Sequence, residues 1–283
     1  MSNNFTITKA TGEQEKYSSD KLCSSLIQSG APEKLANNIC HMVEKDLTPA
    51  MTTKQIWRKA LRYLIKSDLH DVSARYSLRR AMANLGPDGY VFEKYIATVL
   101  EAHGYQTKVN QMIRGASGVE HEIDVLATKK GITSFIEVKY KNEYGLRTHV
   151  DTVMYSWARY FDILETKPTS QRDKFEIWLV TNTEFTSSSI MFGTHRDMRL
   201  LGWDYPDDIS LEDMIAQEKL YPISILPSLT LKDRKALVRE GLILAQDLLP
   251  YSARDLEDKF AISPKRSGKL IAEARELSMI DDE

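Results

Sequence analysis

GVEHEIDVLATKKGITSFIEVKYK, residues 118–141, is the stretch on which the reading of the fold turns. His121–Ala127 and Ser134–Tyr140 alternate apolar and polar side chains around the polar turn Thr128–Gly131, the pattern of a β-hairpin. Successive strand residues point to opposite faces. Glu122, Asp124 and Leu126 therefore share one face of the first strand, and Ile123, Val125 and Ala127 the other. On the second strand Glu137 and Lys139 share a face, against Ile136, Val138 and Tyr140. If the two polar faces coincide, Asp124, Glu137 and Lys139 converge on one point of the sheet. Two carboxylates beside an ammonium suit a hard divalent cation next to a phosphate, because magnesium takes oxygen ligands and keeps several waters. Such an ion polarises a phosphoryl oxygen and lowers the pKa of a bound water, and the lysine can orient that water. The same pattern also fits a half-exposed hairpin whose Glu and Lys face solvent and pair across strands.

Outward from the hairpin, Tyr90–His103 places Phe92, Ile96, Val99, Leu100 and His103 on one helical stripe that Gly104 closes, with Glu93 at its border. Tyr105–Ile113 reads as a strand and Gly115–Gly118 as the turn into the hairpin. Downstream, Arg147–Leu164 is an amphipathic helix with Val150, Met154, Trp157, Phe161 and Leu164 inward and Val153 beside them. Its Arg147 and Arg159 fit either a DNA-facing or an ordinary surface position. Phe175–Val180 suits a strand buried on both faces, followed by a helix over Thr186–Met198 and a strand over Arg199–Trp203.

The runs FEKYIATVLEAHGY (92–105), GVEHEIDVLA (118–127) and IEVKYKN (136–142) together resemble the restriction-endonuclease-like superfamily with the PD-(D/E)xK motif, nearest to the catalytic domain of Mrr-type enzymes. The resemblance implies an αβββαβ core and a Mg2+- or Mn2+-dependent endonuclease acting on DNA. By it Asp124 and Glu137 are metal ligands, Lys139 is the catalytic lysine and Glu93 is the acid that completes the site. Ile123 stands where the motif has proline, and Glu122 is a spare carboxylate.

The chain has 283 residues, enough for two or three domains, with an ordinary 42% hydrophobic and 28% charged content. No apolar run approaches a membrane span, and MSNNFTITKA has neither the basic start nor the apolar stretch of a secretory signal. A cytoplasmic protein without a membrane partner is expected. Cys23 and Cys40 sit in helical patterns beside apolar residues and read as small buried hydrophobes in a reducing compartment. A formal net charge of −2 leaves nucleic-acid contact to local patches. Between monomer and homo-oligomer the sequence does not choose.

Residues 5–84 read as a hairpin followed by four helices, with Ser18 or Ser19, Pro32 and Thr52 or Thr53 as the helix starts. The opening I-T-K…G, the S-x-D-K-L helix start and the late A-R-Y-S-L-R-R helix resemble the ATP-cone, the nucleotide-sensing domain of ribonucleotide reductases and of a repressor of their genes. The resemblance implies ATP or dATP binding, with Lys9 and Lys21 near the phosphates; Ala10 and Thr11 depart from the family's charged residues. The alternative is a helical docking domain with Arg75, Arg79 and Arg80 on a solvated face. At the other end, AISPKRSGKLIAEARELS (261–278) resembles a helix-hairpin-helix, which implies Ser263, Lys265, Arg266, Ser267 and Lys269 as a phosphate-facing set. A bare helix pair that binds a partner subunit is the alternative there.

The expected architecture is a mixed α/β protein: a small α+β cone over 1–85, a catalytic domain over 86–222 and a small helical domain over 223–283. The expected function is a metal-dependent DNA endonuclease under nucleotide control. The alternatives are a nucleotide-sensing regulator that binds DNA without cutting it, and a nuclease of RNA or branched DNA.

Overall fold

Thr6–Thr8 (β1) and Gln14–Lys16 (β2) pair antiparallel, Thr6 opposite Lys16. Four helices follow: Ser19–Gln28 (α1), Glu33–Lys45 (α2), Thr53–Ile65 (α3) and His70–Ala83 (α4). Ser18 accepts from the Lys21 N–H to cap α1, α2 begins after Pro32, and Thr52 and Gln55 form a reciprocal capping box on α3. These are the starts expected from the sequence. The computed structural model describes residues 5–8, 12–49, 51–67, 69–86, 89–142 and 146–278, without the side chains of residues 70 and 71. The chain resolves into two compact units, one of residues through Leu78 with the end from Glu276, the other of Arg79–Arg275. In the first, Leu26, Ala36, Ile39, Val43, Ala60 and Leu64 are buried in one apolar cluster.

One sequence expectation holds only in part there: Cys40 is buried in that cluster and Cys23 packs against it. Cys23 and Cys40 are not separate thiols but a disulfide joining α1 to α2, with Cα atoms 5.9 Å apart. Helical periodicity placed each beside apolar neighbours, but it carries no information about which residue of the next helix faces it.

The second unit is built on a five-stranded sheet. Gly89–Ala102 (α5) leads into Gln106–Arg114 (β3), Glu120–Lys129 (β4) and Ile132–Lys139 (β5), an antiparallel meander. Lys130 and Gly131, with φ of 51° and 81°, make the two-residue turn between β4 and β5, tighter than the expected Thr128–Gly131. Two left-handed residues in succession match the twist of the flanking strands, and glycine takes the second at no steric cost. The two-residue Arg147–Thr148 (β6) precedes Val150–Glu165 (α6), which crosses to Phe175–Thr181 (β7), parallel to β5. Then come Glu184–Phe185 (β8, paired with β6), Ser187–His195 (α7) and Arg199–Leu201 (β9), parallel to β7. The sheet order is β3-β4-β5-β7-β9. The fold is mixed α/β.

The two sheet faces carry different layers. Phe135, Ile177, Leu179 and Leu200 pack with Val153, Tyr160 and Ile163 of α6. On the opposite face Tyr140 meets Phe92 of α5, ring centroids 5.2 Å apart. The buried side of α6 is Val153, Ser156, Tyr160 and Ile163, about a residue's turn from the expected stripe, and Met154 is 49% exposed. Trp157 and Phe161 instead stack on each other at 4.8 Å on the flank toward Phe192. The buried face departs from the apolar stripe because Ser156 and Tyr160 are buried with their hydroxyls hydrogen-bonded, to the Thr152 carbonyl and the Glu137 carboxylate.

The β3–β4 turn is tied to α6 through one carboxylate. Asp162 accepts from the Ser117 N–H and hydroxyl at 2.8 and 2.7 Å and lies 2.7 Å from His121 Nε2. These bonds, the His121 contact first, hold its carboxyl down to about 2. The folded-state value lies below the ordinary one near 3.9, so its contribution to stability is complete above about pH 4 and is lost as pH falls through about 2. A Cβ on Gly115 would lie 1.9 Å from Asp162 Oδ2. The Asp162 side chain is short and held by three groups, so it cannot swing clear. Gly115→Ala should destabilise by about 1–3 kcal/mol, read by urea denaturation, with unchanged stability contradicting the packing.

Leu211–Gln217 (α8), Leu231–Arg239 (α9), Ala253–Phe260 (α10) and Pro264–Ser278 (α11) complete the chain. Ser210, Thr230 and Ser252 cap the first three of these. Tyr95 of α5 donates to the Leu220 carbonyl at 2.6 Å, and His103 Nε2 lies 2.9 Å from the Met214 carbonyl oxygen. His103 is thus a helix-end packing residue, as its place on the stripe implied. No helix among the described residues is long and apolar enough to cross a membrane.

Candidate active site

The site begins where two neighbouring strands part. Pairing of β4 with β5 runs from Lys129–Ile132 to Val125–Ile136 and stops. Beyond it β4 stays paired with β3 as far as Glu120, and β5 stays paired with β7 as far as Lys139. The sheet therefore forks at the next two residues in register, Asp124 and Glu137. Asp124 Oδ2 takes over as acceptor for the Val138 N–H at 2.7 Å, so a side chain replaces a ladder bond and fixes the carboxyl at the fork.

Glu137 is fully buried. A carboxylate there costs several kcal/mol unless charged or polar donors surround it. Tyr160 donates to Oε2 at 2.7 Å and Arg159 Nη1 to the same oxygen at 2.8 Å. Arg159 Nη2 also donates to the Glu122 carbonyl. Lys139 Nζ lies 2.5 Å from Oε1, so each carboxylate oxygen has a cation beside it. Burial and the negative charge of Glu137 raise the Tyr160 phenol well above its ordinary value. Thr181 donates to the Lys139 carbonyl at 2.8 Å, and the Asn182 amide exchanges two hydrogen bonds with the Lys141 backbone. The main chain is thus held at Lys139 and again two residues on, at Lys141.

Acidic crowding is the electrostatic signature of the fork. Burial first, then Glu137, pushes Asp124 up to about 6. Burial, then Asp124, Glu122 and Glu137, pushes Glu93 of α5 up to about 7. Among the described residues no three His, Cys, Asp or Glu side chains form a ready-made metal cage. The donor set nevertheless fits a hard divalent cation: oxygen only, with two acids whose ionisation is opposed by burial and neighbouring negative charge. A stability prediction follows from these two raised values. Ordinary Asp and Glu values are near 3.9 and 4.3, so the metal-free fold is favoured while both acids stay protonated and loses that advantage as pH rises from about 4 through 7. Mn2+ should raise the melting temperature more at pH 8 than at pH 5.5, and Asp124→Asn should flatten the difference; equal shifts at both pH values would contradict it.

Asp124, Glu137 and Lys139 are thus brought together, with Glu93 and Glu122 in electrostatic reach. Lys9 lies outside the described residues. Lys21 is 70% exposed and paired with Glu15 at 3.2 Å. Arg159 stands on Glu137 rather than at a free surface, and Arg147 pairs with Glu184 at 3.1 Å. Arg79 pairs with the same carboxylate at 2.8 Å, so it does not belong to a solvated arginine face. Of the helix-hairpin-helix set, Ser263, Lys265 and Lys269 are exposed. Ser267 is buried and donates to the Ile262 carbonyl, so it does not face a phosphate, whereas Arg266 is 44% exposed and pairs with the buried Asp233 at 3.1 Å. Tyr160, Thr181 and Asn182 escaped the sequence reading. The one available signal was Glu137 itself, since an acid between Ile136 and Val138 on an inner strand must find donors on the layer above.

A family model described as the C-terminal part of AF1548-like proteins matches residues 221–278, the span from Tyr221 through α11. An uncharacterized protein of Archaeoglobus fulgidus is 32% identical over 182 residues, covering 64% of this chain and 99% of the relative. The chain belongs to the AF1548-like family. A crystal structure of AF1548, described as a protein of unknown function, aligns with a TM-score of 0.55 and 31% identity, over 67% of this chain and 98% of that one. About a third of the present chain therefore lies outside its AF1548-like relatives.

Proposed function

We propose that this protein is a divalent-cation-dependent phosphodiesterase of polynucleotides, an endonuclease of DNA. The observation that carries the reading is the fork itself: Asp124 and Glu137 adjacent in register, with Lys139 Nζ 2.5 Å from Glu137. Asp124 and Glu137 would hold Mg2+ or Mn2+, with Glu93 as an outer ligand, and the ion would polarise a phosphoryl oxygen and lower the pKa of a bound water. Lys139, kept beside Glu137 and clamped by Thr181, orients the attacking water and offsets charge building on the phosphate. Tyr160 and Arg159 hold the Glu137 carboxylate in one rotamer, and the Val138 N–H does the same for Asp124. Supercoiled plasmid incubated with the protein and Mg2+ or Mn2+ should become nicked or linear.

One observation favours a second reading. Glu137 already has two cations beside it, which is also what a fork kept for shape alone would show. On that reading the protein binds DNA without cutting it, and plasmid would be retarded on a gel but stay supercoiled. ATP or dATP control through the N-terminal hairpin and helices is part of the proposal. A nucleotide that binds only the folded state must raise the melting temperature, so no shift at saturating ATP or dATP removes that part.

A further inference from the structure

Each helix beside the fork carries an exposed tyrosine one turn from a site residue. Tyr155 on α6 is 60% exposed, and Arg159, the residue bonded to Glu137, lies 5.5 Å from its ring centroid. Tyr90 on α5 is 45% exposed, three residues before Glu93, with the Lys94 ammonium 4.3 Å from its ring centroid. Tyr95 and Tyr160 on the same helices behave differently: both are fully buried, and each phenol donates a hydrogen bond. Among the described residues neither Tyr90 nor Tyr155 makes one, and the cation at each ring leaves much of it exposed.

The chemistry of these pairs is specific. A largely exposed aromatic ring with a cation four residues on packed over it is a surface for a flat, electron-rich ring joined to an anion. Bulk charge does not attract a polynucleotide here, because the chain is formally −2 and the fork is acidic. Affinity must come from contacts that tolerate that field, and stacking does. Bases inside a continuous duplex have no free faces to offer.

We infer that Tyr155 and Tyr90 are stacking platforms for unpaired nucleobases, so that the fork receives a single-stranded or splayed polynucleotide. This rests on the phosphodiesterase reading only for what happens after binding. The test uses full-length protein in EDTA, where no cleavage occurs, with fluorescent oligo-dT and a blunt duplex of equal length, followed by anisotropy. Oligo-dT should bind at least about tenfold more tightly than duplex, and Tyr155→Ala or Tyr90→Ala should weaken it about 5- to 100-fold. Tyr155→Phe, which keeps the ring and loses the hydroxyl, should bind like wild type. Alanine variants that bind oligo-dT as wild type does, or duplex bound as tightly as the single strand, would overturn the inference. Cleavage of duplex plasmid by a protein that shows either of those results would leave the nuclease standing without the platforms. Tyrosine-dependent binding with no cleavage in Mn2+ would do the reverse.

Discussion

Asp124→Asn and Glu137→Gln should each lower plasmid cleavage by on the order of 10²–10³-fold, the loss of about 2.7–4 kcal/mol of transition-state stabilisation from one preorganised electrostatic group. Both changes are nearly isosteric. In Asp124→Asn the new side-chain amide keeps an oxygen for the Val138 N–H, and the lost charge relieves the crowding that pushes Glu93 up to about 7. The expected pattern is therefore lost activity with an unchanged or higher melting temperature for Asp124→Asn. Lys139→Ala should be as inactive, since its ammonium is the cation beside Glu137 Oε1. Cleavage surviving in all three variants would place the chemistry elsewhere.

Arg159→Ala should cost about 3–5 kcal/mol of folding stability, because it leaves the buried Glu137 carboxylate short of a counter-charge. For a unit of this size that is a fall of on the order of 10 °C in melting temperature. Tyr160→Phe removes a neutral donor from the same oxygen and should cost less, about 1–3 kcal/mol. The mechanism separates from simple lost packing in a cycle with Glu137→Gln. Once the charge is gone Arg159 has less to neutralise, so the double variant should be more stable than the two single losses predict. Strict additivity would mean that Arg159 acts only through its stem.

Much of the fold was readable because it rests on local rules. Ser18 or Ser19, Pro32 and Thr52 or Thr53 marked helix starts, and the structure caps α1 with Ser18 and α3 with Thr52 and begins α2 after Pro32. Alternation through Glu122–Lys139 gave both strands of the hairpin and the shared face of Asp124 and Glu137. What was not readable depends on contacts between distant segments. The rotation of α6 by one residue followed from where β5 put a buried acid, not from the apolar content of α6. Cys23 and Cys40 met because α1 and α2 pack together, and Arg266 found its partner in the buried Asp233, 33 residues earlier. The fork itself was only half visible: strand patterns fix faces, whereas the place where β4 leaves β5 is set by pairings with β3 and β7.

Crystals soaked in Mn2+ and measured at the manganese edge test the central claim most directly. The account predicts an anomalous peak bounded by the carboxylate oxygens of Asp124 and Glu137, lost in Asp124→Asn. A fork without a peak, in crystals where manganese is bound elsewhere, with Arg159 and Lys139 still the neighbours of Glu137, would contradict it.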